Sequence, residues 1–281
     1  MKLLTIEETP EWLATNKNLL YGYRTCKNYI ECIHSLKYWS ISQWSSLTSL
    51  FHTCIGISMF GLLCFYRIDN ISLRQSLFAL SINAIVGGAF SSSYHIFGES
   101  AGMSEEVAIF FRNLDFIGIH FSSVFIGFAL SSSVEYMYPE YHLMVEITST
   151  ITITLLVTSF YIASKISSIA CRVASLGITI CGYSLSLYIV FMKHSIYSLL
   201  GIVAFMMLFS ILIGAIIYIY QFPECIIKYN IFGSHAFMHL FITISFIFKI
   251  LFVVKSHIYK DTLQVNERTP VCESMNGNDM K

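Results

Sequence analysis

The sequence predicts an all-α membrane protein, a bundle of seven helices threading a bilayer. Three observations lead there. Of 281 residues, 55% are hydrophobic and 15% aromatic, with only 12% charged, and the mean hydropathy is +0.65, far from the soluble average. Apolar runs of roughly 20 residues, the length that crosses about 30 Å of hydrocarbon, recur at 45–66, 73–97, 108–130, 143–164, 169–192, 195–220 and 232–254. All four prolines (Pro10, Pro139, Pro223 and Pro270) lie outside these runs, as unbroken helices with internally satisfied backbones require. The alternating short strands of a membrane barrel are missing. Zero net charge with no basic block excludes a nucleic-acid partner.

Ahead of the spans, residues 1–44 form a polar head. Glu7, Glu8 and Glu11 exclude a signal peptide there, so the first run is expected to act as the membrane anchor. Within the head, Ile30, Ile33, Leu36 and Trp39 have helical spacing, which predicts a short amphipathic helix over 29–39 lying along the interface. The spans occupy 45–254, and 255–281 reads as a polar, disordered tail. Basic residues divide eight inside to seven outside when the N-terminus is cytosolic, and five of the eight stand in the head. That favours a cytosolic N-terminus, in a plasma or internal membrane. The eight cysteines (Cys26, Cys32, Cys54, Cys64, Cys171, Cys181, Cys225 and Cys272) show no CxxC and no secreted framework, so they are expected to be buried as small apolar residues. Lys249, in the last span, is expected to snorkel to the interface.

Polar residues within the spans carry the functional signal, because ionisable groups in a bilayer are costly and face a functional interior. They are Ser91 and His95 at the end of the second span, Asp115 near the start of the third, and His235 and His239 at the start of the seventh. The end of an even helix and the start of an odd one share a leaflet, so all five belong to one side. His235 and His239 are one turn apart on one face. Stepping back from His95 gives Ser91, Gly88, Ala84 and Ser81, while the third span offers Asp115, Gly118 and Ser122. Such small stripes mark close helix packing, so the clusters should face each other. Three imidazoles with one open position are the ligand set of a catalytic-type zinc site. His52, His120 and His194 read as ordinary structural histidines.

Read in order, Gly22-Tyr23-Arg24, Ser91-Ser-Ser-Tyr-His95, Asp115-Phe-Ile-Gly118-Ile119, Pro223-Glu224 and Gly233-Ser234-His235-Ala-Phe-Met-His239 resemble the progestin and adipoQ receptor family, which is related to hemolysin III and more distantly to alkaline ceramidases. The resemblance implies a seven-helix fold inverted relative to G-protein-coupled receptors, with zinc near the cytosolic face. It implies His95, His235 and His239 as metal ligands, Asp115 holding the water that zinc activates, and Ser91 hydrogen-bonding nearby. The chain departs from the family pattern at Trp39-Ser-Ile-Ser-Gln-Trp44, before the first span, and at Ala236.

Two functions follow as expectations. The first is a zinc-dependent lipid amidase acting on a ceramide-like membrane lipid, in a receptor or lipid-homeostasis role, with Asp115 and Ser91 catalytic. The second is a non-enzymatic membrane receptor with structural zinc and an extracellular ligand. Photoreceptor chemistry at Lys249 is excluded because fourteen residues, about 21 Å of helix, separate it from His235 and the leaflet of Asp115. Ion transport is disfavoured because no charged path crosses the bilayer.

Overall fold

The computed structural model describes residues 3–14, 18, 20–38, 40–163, 186–227 and 232–268. In the head, β1 (Leu4–Thr5) pairs antiparallel with β2 (Tyr21–Tyr23). Helix α1 (Tyr29–Ser35) starts where the Asn28 side chain accepts from the Glu31 N–H. Helix α2 (Ile41–Phe65) opens on a capping box in which Ser40 and Gln43 satisfy each other's backbone N–H groups. Asn70 caps α3 (Ile71–Ser93), which runs on into a π-helical turn at Tyr94–Gly98. Ser104 caps α4 (Glu105–Met137), and a 3-10 turn at Pro139–Tyr141 leads to α5 (His142–Ala163). Residues 186–193 are helical. Ser198 caps α6 (Leu199–Ile219), and α7 (Ser234–Arg268) closes the described chain.

Among the described residues, five helices are long and apolar enough to cross a bilayer: Ser42–Phe65, Ile71–Gly98, Glu105–Met137, Leu199–Ile219 and Ser234–Leu263. They coincide with the first, second, third, sixth and seventh predicted spans. Helix α5 lies where the fourth was expected. The fifth, at 169–192, falls mostly outside the described residues, as do Trp39 and everything beyond Arg268. The chain is an integral, multi-pass membrane protein.

Helix α3 packs between α2 and α4, while α7 touches α2, α3, α4 and α6. Their shared core includes Leu80, Ala84, Leu130, Val134, Met207, Phe246 and Phe252, all at most 1% exposed. The outer faces are apolar instead of polar: Ile202, Phe205, Phe209, Leu212 and Ile216 of α6 recur every three or four residues and are all exposed, as a lipid-facing stripe should be. Small residues bring the backbones together. A Cβ on Gly88 would meet the Thr53 hydroxyl and stand 2.9 Å from the Ser49 carbonyl of α2. Gly87 faces Ser122 and Gly118 of α4. The two stripes seen in the sequence therefore both point inward, with that of α3 packed on α2.

Four expectations need correction. Lys249 does not snorkel. It is 3% exposed, on the inward face of α7 with Phe246, Val253 and Ser256. The sequence beyond 254 is not a disordered tail as far as residue 268, because α7 continues through it. There Ser256 and His257 are buried, His257 Nε2 meets Ser72 Oγ at 3.1 Å, and its ring stacks on Tyr136 at 4.5 Å. Helix α4 also outruns its apolar stretch, since Tyr136 donates to Asp261 at 2.6 Å and accepts from Asn70 at 2.9 Å. Finally, Cys26 and Cys32 are buried, but Cys54, Cys64 and Cys225 are exposed. On a membrane helix an outward face is already apolar, so a small apolar residue gains little by turning inward.

Gly88→Ala should lower the apparent melting temperature in detergent, because overpacking costs about 1–3 kcal/mol. Gly61→Ala, where an added Cβ meets nothing within 4 Å, should instead raise it through helix propensity. Thermal-shift chromatography of the two variants reads the opposite signs.

Candidate metal centre

His95 is held by the turn that carries it. The π-helical turn Tyr94–Gly98 breaks the regular ladder at the end of α3, a geometry common at functional sites. The released carbonyls are taken up by one guanidinium. Arg24, fully buried, donates from Nη2 to the carbonyls of His95 at 2.5 Å, Ile96 at 3.0 Å and Glu99 at 3.3 Å. Its Nη1 donates to Ser35 Oγ at 2.8 Å, so α1 is tied to the same turn. The His95 ring is oriented from its other side: Nδ1 lies 2.9 Å from Glu99 Oε2, one turn further on. Burial pushes the Glu99 carboxyl up, but the charge and hydrogen bond of His95, with help from His235 and Arg24, outweigh it and hold the group down at about 2.

The start of α7 is set just as firmly. Glu224, 2% exposed, accepts from the Ser234 backbone N–H at 2.8 Å and from its hydroxyl at 2.9 Å through one oxygen, Oε1. A carboxylate at a helix N-terminus satisfies an orphan donor and meets the positive end of the dipole. Gly233 is required beside it, because a Cβ there would stand 2.7 Å from the same oxygen. His235 follows immediately, with the Tyr218 ring of α6 edge-on at 5.3 Å. The hydroxyl of Thr243 donates to the His239 carbonyl at 3.0 Å and lies 3.3 Å from His52 Nδ1.

These two supports bring His95, His235 and His239 together. One ring nitrogen from each lies within 4.8 Å of the others. The Nε2 atoms of His95 and His239 are 3.1 Å apart, and the three ring centroids are separated by 4.6, 4.8 and 5.1 Å. Tetrahedral zinc with Zn–N near ~2.0–2.1 Å wants ligand nitrogens about 3.3 Å apart; the His95–His239 pair already has that spacing, and the three rings could together hold a metal ion. His95 is fully buried and the other two are half-buried.

Asp115 lies within electrostatic reach of His95. Ser91 is buried, and its hydroxyl accepts from Ser49 of α2 at 3.3 Å. The histidines read as structural are so placed: His120 Nδ1 meets the Phe116 carbonyl at 2.8 Å, and His194 pairs with the Tyr138 hydroxyl. His52 of α2 packs edge-on against Phe246 of α7. Sequence reasoning missed Glu99. Its signal was the i, i+4 spacing from His95, which also placed His239 beside His235.

The sequence model of the haemolysin-III related family matches residues 39–250, which contain all five predicted site residues. No curated protein matches the chain.

Glu99→Ala should weaken zinc affinity at neutral pH by tenfold or more, the usual effect of losing the group behind a ligating imidazole. Glu99→Gln, which keeps an acceptor, should lose less. Competition with a chelating dye measures both.

Proposed function

The chain therefore belongs to the haemolysin-III related family, and we propose that it is a seven-span, zinc-dependent hydrolase of membrane lipid amides of the ceramide type, serving lipid homeostasis or signalling. The observation that carries this reading is the convergence of three imidazoles, from the second and last predicted spans, at one end of the bundle. Three neutral nitrogen ligands leave one position open, which suits reaction better than structural closure. Bound there, zinc supplies Lewis acidity and makes water acidic enough to attack near neutral pH.

The chain's own residues supply the rest. Glu99 Oε2 stands 2.9 Å from His95 Nδ1, a carboxylate on the far side of the ring whose Nε2 faces His239. Asp115, within reach of His95, takes the proton of the attacking water as general base. Ser91 receives its hydrogen bond from Ser49, so its own proton is left to donate to the oxyanion developing on the amide carbonyl. Near the ends of α3 and α7 the site stands at headgroup depth, where a lipid presents its amide while its acyl chain lies among the helices.

Elemental analysis should find about one zinc per chain in wild type and none in His239→Ala. Asp115→Asn should keep its zinc and lose fatty-acid release from ceramide by 100-fold or more. Absence of zinc from wild type would sink the metal site. Zinc-loaded protein that releases no fatty acid, or Asp115→Asn with full release, would remove the hydrolase and leave a receptor with structural zinc.

A further inference from the structure

We propose that Cys26 and Cys32 form a peroxide-reactive dithiol couple on the head of the molecule, with Cys26 as the attacking thiol and Cys32 as the resolving one. The two cysteines pack together with Ile96 in a small cluster apart from the main core, and neither is in a disulfide. Their side chains are close enough to act on each other by hydrogen bonding. The Ser100 hydroxyl donates to the Cys26 carbonyl at 2.9 Å and the Ser35 hydroxyl to the Cys32 carbonyl at 2.6 Å, and the positive charge of Arg24 acts on Cys26. An open groove of about 300 Å³ is lined by Cys26 together with Glu31, His34, Ser35 and Lys37, but not by Cys32. Cys26 is almost enclosed at 2% exposure, but it forms part of the groove wall while Cys32 lies fully behind it, so a small oxidant working in from the groove meets Cys26 first.

The electrostatics agree with that order. The hydrogen bond with Cys32, aided by Ser35, Arg24 and Ser100 against the effect of burial, holds the Cys26 thiol below its ordinary value. The same hydrogen bond, with burial, holds Cys32 above its own. A thiol held below its ordinary value at the wall of a groove, with a protonated partner beside it, is the arrangement of a thiol that oxidises and is then resolved. The oxidant is hydrogen peroxide. The Cys26 thiolate attacks one peroxide oxygen, forming an S–O bond as the O–O bond breaks, and the hydroxide released takes the proton that Cys26 had given up and leaves as water. Cys32 then attacks the sulfenic sulfur, forming S–S and breaking S–O, and this hydroxide leaves with the Cys32 proton as a second water. Two thiols lose two electrons and one peroxide becomes two waters. Arg24 links the couple to the metal centre, since it bonds both Ser35 and the turn carrying His95.

The test uses the full chain in detergent micelles, treated with hydrogen peroxide at pH 7, then alkylated and mapped by peptide mass spectrometry. Wild type should yield a Cys26–Cys32 cross-linked peptide. Cys32→Ser should accumulate a dimedone-trapped sulfenic acid on Cys26, several-fold above any trapped on Cys32 in Cys26→Ser. Wild type in which Cys54, Cys64 or Cys225 oxidises while Cys26 stays reduced would overturn the proposal without recourse to the variants. So would trapping in Cys26→Ser equal to that in Cys32→Ser.

Discussion

A buried guanidinium is the constraint from which the site is built. An isolated charge removed from water costs several kcal/mol even after relaxation, and Arg24 is fully buried. Only a dense set of acceptors offsets such a cost, and a π-helical turn provides one by releasing carbonyls from the helical ladder. The carbonyls of His95, Ile96 and Glu99 fill that role. Arginine and turn are therefore mutually dependent: without the turn the charge is stranded, and without the charge the carbonyls are. His95 inherits a fixed position from this bargain. Because Arg24 also binds Ser35, the head is locked to the end of α3 and carries part of the site's rigidity.

The bundle is pinned by polar contacts at both ends, around an apolar middle. At one end lie the three histidines with Glu99 and Glu224. At the other, Asn70, Tyr136 and Asp261 join the starts and ends of α3, α4 and α7, and His257 reaches Ser72. Lys249 lies between the two ends, buried, within electrostatic reach of His52. Hydrogen bonds across helices fix rotation and depth in a bilayer, where apolar packing alone distinguishes poorly between helix and lipid.

Much of this was legible in the sequence for simple reasons. Run length located five spans, and helix parity with the i, i+4 phase of His235 and His239 brought the three histidines to one place. These signals are local or topological, so they survive folding unchanged. What escaped depends on partners distant in sequence. Arg24 lies 71 residues from His95, and nothing in the head alone shows that its guanidinium will be buried. Glu99 stood one turn from His95 but beyond the apolar run, where a carboxylate looks like a solvated loop residue. Lys249 was misread because snorkelling is the default for an isolated lysine, whereas its stripe on α7 faces the core. The 255–268 helix was misread because its polar composition conceals a face that packs on Tyr136 and Ser72.

The central claim is that His95, His235 and His239 converge on a single metal ion. X-ray absorption at the zinc edge of the purified, zinc-loaded chain tests it most directly. Three imidazole shells with Zn–N near ~2.0 Å, reduced to two in His95→Ala, are the predicted result. Sulfur scattering near ~2.3 Å, or an imidazole count that His95→Ala leaves unchanged, would contradict it.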